Sequence, residues 1–302
     1  MPRRRITFRQ LETFAEVARQ LSFSKAAETL HLTQPAVSIQ IRQIADTIGL
    51  ALFEQSGREI TLTAAGEELL TTVRDLDDAW NRFESSIDDL KGFKRGKLRV
   101  ALVTTAKHFL PRMLGAFYQR YPDIDIELEI GNRETIVQRL NANQDDLYVM
   151  SYPPAELDIV THPFLDNEYV LLAPATHWAV GKSVTLEALA GEPFLLREKG
   201  SGSRHVIDAH MQTSGIALRV RLSLASNEAI RDLVASGMGL TMLSRHALGE
   251  HPERLGLAVL DVAGFPLRSM WSVVHRRSKV LSLPARAFLD DLLKSASTAQ
   301  LR

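Results

Sequence analysis

Seven apolar residues in one stretch, Leu69, Val73, Leu76, Trp80, Phe83, Ile87 and Leu90, follow one another at spacings of 4-3-4-3-4-3. Steps that alternate between three and four hold side chains on one narrow stripe of an α-helix and on no other regular backbone. Charged residues flank the stripe at Glu68, Arg74, Asp77, Arg82 and Asp88. The pattern predicts one long helix across residues 63–95, with Gly92 and Gly96 marking the linker after it. A seam kept up for three heptads favours pairing with another helix, a second copy of the chain being the simplest partner. The other reading, a helix laid against its own domain, stays open at this point.

Such a helix cuts the chain into a head, residues 1–62, and a tail, residues 97–302. In the head, Leu11, Phe14, Val17 and Ala18 recur at helical spacing. Ser24 is expected to cap a short helix from Lys25 to Leu30, and His31-Leu32 to turn the chain. Thr33 then caps a further helix with Pro35 in its first turn, where a missing N–H costs nothing. Ala36, Val37, Ile41, Ile44 and Ile48 form its buried stripe, and Gly49 stops it. Two helices joined by so short a turn form a helix-turn-helix. Leu52 to Leu62 has apolar ends around Ser56-Gly57, as a wing hairpin would. The tail alternates between strand and helix, with strands expected near 97–103, 124–130 and 147–150 and a last helix from Pro284 to about Ser295. That alternation indicates an α/β domain with mostly parallel sheets.

Composition mainly excludes. The chain has no cysteine, which removes disulfides, thiolate nucleophiles and Cys-based metal sites. The 36 basic and 36 acidic residues balance, so net charge argues neither for nor against nucleic acid. Residues 1–62 carry eight Lys/Arg against six Asp/Glu, and residues 63–95 five against eight. No apolar run approaches the ~20 residues that span a bilayer, and no apolar core follows Arg3-Arg4-Arg5 as it would in a secretory signal. A soluble, cytoplasmic protein with no membrane partner is expected. Nucleotide-loop, GxSxG and HExxH patterns do not occur. His205 and His210, like His246 and His251, are five apart, which does not align two ligands on one helical face. No catalytic residue, metal site or cofactor is assigned.

The head resembles the LysR-type transcription regulators through several blocks in one order. These are Ser22 to Leu30 (SFSKAAETL), Thr33 to Ser38 (TQPAVS), Leu52-Phe53-Glu54, Gly57-Arg58, and Leu62-Thr63 with Ala65-Gly66. The likeness runs on through the whole chain. The tail is most similar to regulators of carbon-fixation (Calvin-cycle, RuBisCO) operons, through Phe109-Leu110-Pro111, Gly131 to Glu134 (GNRE), Phe194 to Glu198 (FLLRE), Gly200 to Arg204 (GSGSR) and Ser226 to Ile230 (SNEAI). The resemblance implies a winged helix-turn-helix (1–62), a linker helix (63–95) and an effector domain (97–302) like the periplasmic binding proteins. Two α/β subdomains, at about 97–168 with 267–302 and at 169–266, would be joined by two crossover strands. It also implies an activator that works as a homodimer or homotetramer on double-stranded promoter DNA, with RNA polymerase and a small-molecule effector as partners.

An α-helix fits the major groove with its first turns against base edges and phosphates. On the helix from Thr33, the polar residues near that end are Gln34, Ser38 and Gln40, beside Pro35. Gln34 resembles the family's base-contacting glutamine, and an amide can pair bidentately with adenine; without the motif it would read as an ordinary solvent-facing glutamine. Ser38 and Arg42 could hold phosphates, Arg58 on the wing could enter a minor groove or clamp the backbone, and Ser24 with Lys25 could meet phosphates. Many family members are basic where this chain has Ile39 and Gln55.

Clefts of open α/β folds lie at the carboxyl ends of strands, where helix N-termini offer free N–H groups to anions. Three segments fit: Thr104-Thr105, then Ser201-Gly202-Ser203-Arg204, then Ser226-Asn227, with Asn132, Arg133, Arg197 and Lys199 near them in motif. Thr104 and Ser226 also read as plain caps. The resemblance points to a phosphorylated or nucleotide effector, such as ribulose bisphosphate, phosphoenolpyruvate, NADPH or ATP. The alternatives are a LysR-type regulator of another metabolic operon and, for the tail alone, a solute-binding protein without DNA function, which the helix-turn-helix opposes.

Overall fold

The computed structural model describes residues 6–56, 59–90, 95–249 and 251–299, apart from the side chains of 56, 85, 86, 88–90 and 296–299. Two compact units divide between Phe83 and Glu84.

The first unit opens with α1 (Phe8–Gln20), where Thr7 and Gln10 cap each other reciprocally. Next comes α2 (Phe23–Thr29), whose cap is Ser22, not Ser24: the Ser22 hydroxyl accepts from the Lys25 N–H. Leu21, left-handed after α1, leaves Ser22 as the last extended residue before the helix, and so Ser24 lies within the first turn. As expected, α3 (Gln34–Ile48) is capped by Thr33 and ends at Gly49 in the left-handed region. Phe14, Val17, Val37, Ile44 and Leu52 form the common core. A Phe14→Ala cavity there would cost about 3–5 kcal/mol. The wing is β1 (Phe53–Ser56) paired antiparallel with β2 (Glu59–Leu62); Gly57 and Arg58 lie outside the described residues.

The long helix, α4 (Ala64–Leu90), starts against this core. Gly66 passes so close to the loop before the wing that a Cβ would stand 2.1 Å from the Leu52 carbonyl oxygen. The heptad seam therefore divides. Val73 is buried in the unit's own core and the half-buried Leu69 packs against it. Leu76, Trp80 and Phe83 are exposed, with Trp80 half open to solvent at 53%.

The second unit begins with β3 (Gly96–Val103), α5 (Leu110–Arg120), β4 (Ile124–Gly131), α6 (Arg133–Asn141) and β5 (Leu147–Ser151). Then β6 (Ile159–Pro174) carries the chain over to β7 (Ser183–Val184), α7 (Leu186–Leu189), β8 (Pro193–Arg197), α8 (Gly202–Ser214), β9 (Arg219–Leu224), α9 (Asn227–Ala235), β10 (Thr241–Ser244), β11 (Leu257–Val259) and β12 (Asp261–Val262). It returns on β13 (Leu267–Arg276) and ends in α10 (Leu283–Ala299). The main sheet runs β10-β6-β13-β5-β3-β4, with β11 also on β6. It is mixed rather than mostly parallel. While β3 pairs parallel with β4 and β5, the two crossovers β6 and β13 pair antiparallel, because one leaves the first subdomain and the other returns to it. Separate cores gather on either side, one around Leu102, Phe117 and Trp271 and another around Leu171, Phe194 and Met242.

Candidate functional site

The N-terminal end of α3 displays polar groups with little internal use for them. Thr33, Gln34 and Pro35 are exposed, as are Arg42 on the same helix and Ser24 and Lys25 on α2. The Gln34 amide donates one N–H to the Ser38 hydroxyl at 2.9 Å. Its carbonyl oxygen and second N–H remain, which is the acceptor–donor pair that meets adenine N6 and N7. Gln40 does not belong to this display. Its carbonyl oxygen accepts from the buried Thr13 hydroxyl at 2.8 Å, so it ties α3 to α1. Ile39 is exposed on the same helix. Arg3 to Arg5, Arg58 and the Leu90 side chain lie outside the described residues.

In the second unit, Thr104, Thr105, Asn132 and Arg133 face Arg197, Ser201, Gly202 and Ser203 across one narrow cleft between the two halves. Their positions follow from caps. Asn132 caps α6 by accepting from the Thr135 N–H, and Ser201 caps α8 by accepting from the Arg204 N–H. The first N–H groups of a helix have no intrahelical acceptor; those of Gly202 and Ser203 have no partner among the described residues. Arg133 holds the Tyr152 carbonyl through two bonds of 3.2 Å. Behind the wall runs a buried chain: Arg197 is bound by the Glu198 carboxylate at 2.9 Å and donates to Asn227 at 2.7 Å, and Asn227 donates to the Thr105 hydroxyl. Thr104 donates to the Gly131 carbonyl.

Two expected residues are turned to other work. Ser226 caps α9 and donates to Glu228. The Arg204 guanidinium binds Asp208, the Arg197 carbonyl and the Ser223 hydroxyl, away from the cleft lining. Asn227 supports the wall without lining it. Conversely, Ser151, Tyr169 and Trp271 line the cleft and were not expected. Ser151 ends an apolar strand, the sequence signal that could have found it; Tyr169 and Trp271 come from the crossovers. The Ser151 and Tyr169 hydroxyls are 3.1 Å apart. Burial pushes the Tyr169 phenol up despite its hydrogen bonds with Ser151, Asn167 and Ser203, so it stays a donor. Among the described residues the buried Trp271 indole N–H has no acceptor.

The cleft is shut. Its cavity volume is about 10 Å³, room for about one water. Contacts bridge its halves: the Glu134 N–H donates to the Gly200 carbonyl at 3.2 Å, and Lys107 pairs with Glu228 at 3.0 Å. Gly200 sits at φ +89, and a Cβ there would meet the Glu134 carboxylate at 2.8 Å. Burial would raise the Glu228 carboxyl, yet hydrogen bonds from its own backbone N–H, Ser226 and Lys107 prevail and hold it at about 2. Hydroxyls, an indole N–H, helix N-termini and two guanidiniums make this lining suited to a small anion. Among the described residues no group of side chains could hold a metal ion, and no helix is long and apolar enough to cross a membrane.

Comparison with known proteins agrees with this geometry. Residues 8–67 match the bacterial regulatory helix-turn-helix protein, lysR family, and residues 91–297 match the LysR substrate binding domain. The transcriptional activator CmpR of Synechocystis is 44% identical over 98% of both chains. A RuBisCO operon transcriptional regulator of Acidithiobacillus ferrooxidans is 41% identical over 98% of this chain and 96% of that protein. Among solved structures, the regulatory domain of Synechocystis CcmR in complex with 2-PG is 43% identical, with a TM-score of 0.64 over 66% of this chain and 97% of that one. The helix-turn-helix and the α/β unit coincide with the two matched family domains, and the chain belongs to the LysR family of DNA-binding transcription regulators.

Proposed function

We propose that this protein is an activator of a carbon-fixation operon, and that a phosphorylated small metabolite in the α/β cleft sets its action on promoter DNA. The observation that carries the reading is the donor-rich lining around Ser201, Gly202, Ser203 and Tyr169, in a chain 40–44% identical to regulators named for RuBisCO operons and to CmpR. That a 43% identical domain holds 2-PG supports a phosphate ester as the ligand class. Any such ester is far larger than one water, so it binds only where Lys107–Glu228 and Glu134–Gly200 have parted or shifted. A ligand that prefers one arrangement of the halves shifts the population toward it, and a changed assembly would bend its DNA differently. Leu76, Trp80 and Phe83 supply the pairing face. Trp80→Glu is expected to lower the assembly mass in sedimentation; an unchanged mass would remove α4 from the interface.

Footprinting of the full chain on the promoter of a RuBisCO or carbon-uptake operon tests the reading, with and without 2-phosphoglycolate, ribulose bisphosphate, phosphoenolpyruvate, NADPH and ATP. The expected result is a specific footprint that one phosphate ester alters. Specific binding elsewhere in the genome only, or a footprint indifferent to all five, would contradict the operon or the effector respectively.

A further inference from the structure

On the hinge side of the second unit lies a second depression, an open groove of about 920 Å³, within the ~300–1,000 Å³ range of small-molecule sites. It takes residues from both subdomains and from the crossover between them. Phe109, Leu165, Leu248 and Leu255 give it an apolar floor, and Arg112, Arg231, Arg245 and Arg254 stand around it. His108, His246 and His251 also line it, against the carboxylates of Asp166 and Glu168. Among the described residues, cationic and imidazole groups thus outnumber carboxylates. Glu168 is already taken by Arg245 at 2.9 Å.

Among the described residues two buried polar atoms here have no hydrogen-bond partner, Arg231 Nε and His108 Nε2, the second facing the Glu228 carboxylate at 3.7 Å. Arg231 is anchored by its Nη1, which donates to the Ala247 carbonyl at 2.8 Å, so its Nε is held in place rather than free to seek solvent. The Phe109 and His246 rings lie 5.0 Å apart, tilted by 50°, and both residues are half-buried. Phe109 also contacts Trp271 at 5.1 Å, and Trp271 lines the cleft on its other side. A single layer of rings therefore separates the groove from the cleft.

We propose that this groove is a second ligand site, distinct from the cleft, for an organic anion with a planar body: the anionic group against Arg231 and Arg254, and the body on Phe109, His246 and the leucines. Because the lining spans both subdomains and the crossover, occupancy bears on how the halves close and hence on what the cleft binds.

The test is a fluorescence titration of the full chain with N-methylanthraniloyl-AMP, followed by competition with AMP, adenosine and inorganic phosphate. One saturable site per chain is expected, displaced by AMP and at least tenfold less well by adenosine. Arg231→Met should weaken binding at least tenfold. Leu255→Glu, at a half-exposed rim position where folding is not at stake, should do the same with an unchanged melting curve. The cleft variant Arg133→Gln should change it less than twofold. No saturable binding, equal displacement by adenosine, or binding lost in Arg133→Gln but kept in both groove variants would each overturn the second site, and none of these outcomes bears on DNA binding.

Discussion

The end of α3 and the α/β cleft are both polar, but they treat their polar groups in opposite ways. Gln34, Arg42, Ser24 and Lys25 stand in solvent, and Gln34 spends one N–H on Ser38 and keeps the rest. At the cleft the charged side chains are already satisfied by the protein, Arg197 by Glu198 and Asn227, Arg133 by the Tyr152 carbonyl and Lys107 by Glu228, while the Trp271 indole N–H and the Gly202 and Ser203 N–H groups have no partner among the described residues. The first surface is a rigid display awaiting a partner whose acceptors and donors are fixed. In the second those free donors become reachable only when the bridging pairs part, and exchange between two arrangements is what a switch requires.

That contrast can be broken at several strengths. The largest effect should come from Arg197→Ala, which strands the Glu198 carboxylate and the buried Asn227 amide. Losing one partner of a buried pair costs about 3–5 kcal/mol, so the melting transition should fall sharply; a variant as stable as the parent would show that the chain behind the wall is not structural. Next is Gln34→Ala. Loss of a bidentate base contact costs about 1–3 kcal/mol, so specific affinity should drop roughly tenfold or more while binding to random DNA stays the same. An equal loss on both DNAs would make Gln34 a phosphate contact. Tyr169→Phe removes one hydrogen bond, worth ~0.5–1.5 kcal/mol, and should weaken effector binding several-fold in calorimetry without touching DNA affinity.

The smallest effect is in acid. The Glu228 carboxyl is held at about 2, below its ordinary 4.5, so the Lys107 bridge is fully present above about pH 4.5 and is lost as pH falls toward 2. Lys107→Met should flatten that part of the stability–pH curve slightly, by lowering the plateau above about pH 4.5 and leaving stability near pH 2 unchanged. A loss as large at pH 2 as at neutral pH would assign the bridge a different role.

What could be read from sequence was local. Thr33 and Gly49 bound α3 because capping and left-handed termination act within one turn, and the helix starts at Asn132 and Ser201 that line the cleft are likewise written in adjacent residues. Distance in sequence hid the rest. Trp271 meets Ser151 because β13 pairs with β5 and sets the two opposite each other, and Tyr169 joins them because β6 pairs along all of β13, with Leu267 opposite Tyr169. Gln40 looked like part of the reading end because nothing near it in sequence shows the Thr13 hydroxyl, 27 residues away. The seam on α4 showed a helix but not which of its turns the first unit uses for itself. Val73 and Leu76 obey the same spacing and face different neighbours.

The most direct test of the two-surface account is a pair of variants measured in parallel, Gln34→Ala and Arg133→Gln, each by anisotropy on operator DNA and by calorimetry with 2-phosphoglycolate. The account predicts a crossed result: Gln34→Ala loses specific DNA affinity and keeps the ligand, whereas Arg133→Gln keeps the DNA affinity of the free protein and loses the ligand's effect on it. If either variant impaired both activities equally with its melting curve intact, the display and the switch would not be separate surfaces, and the account would be contradicted.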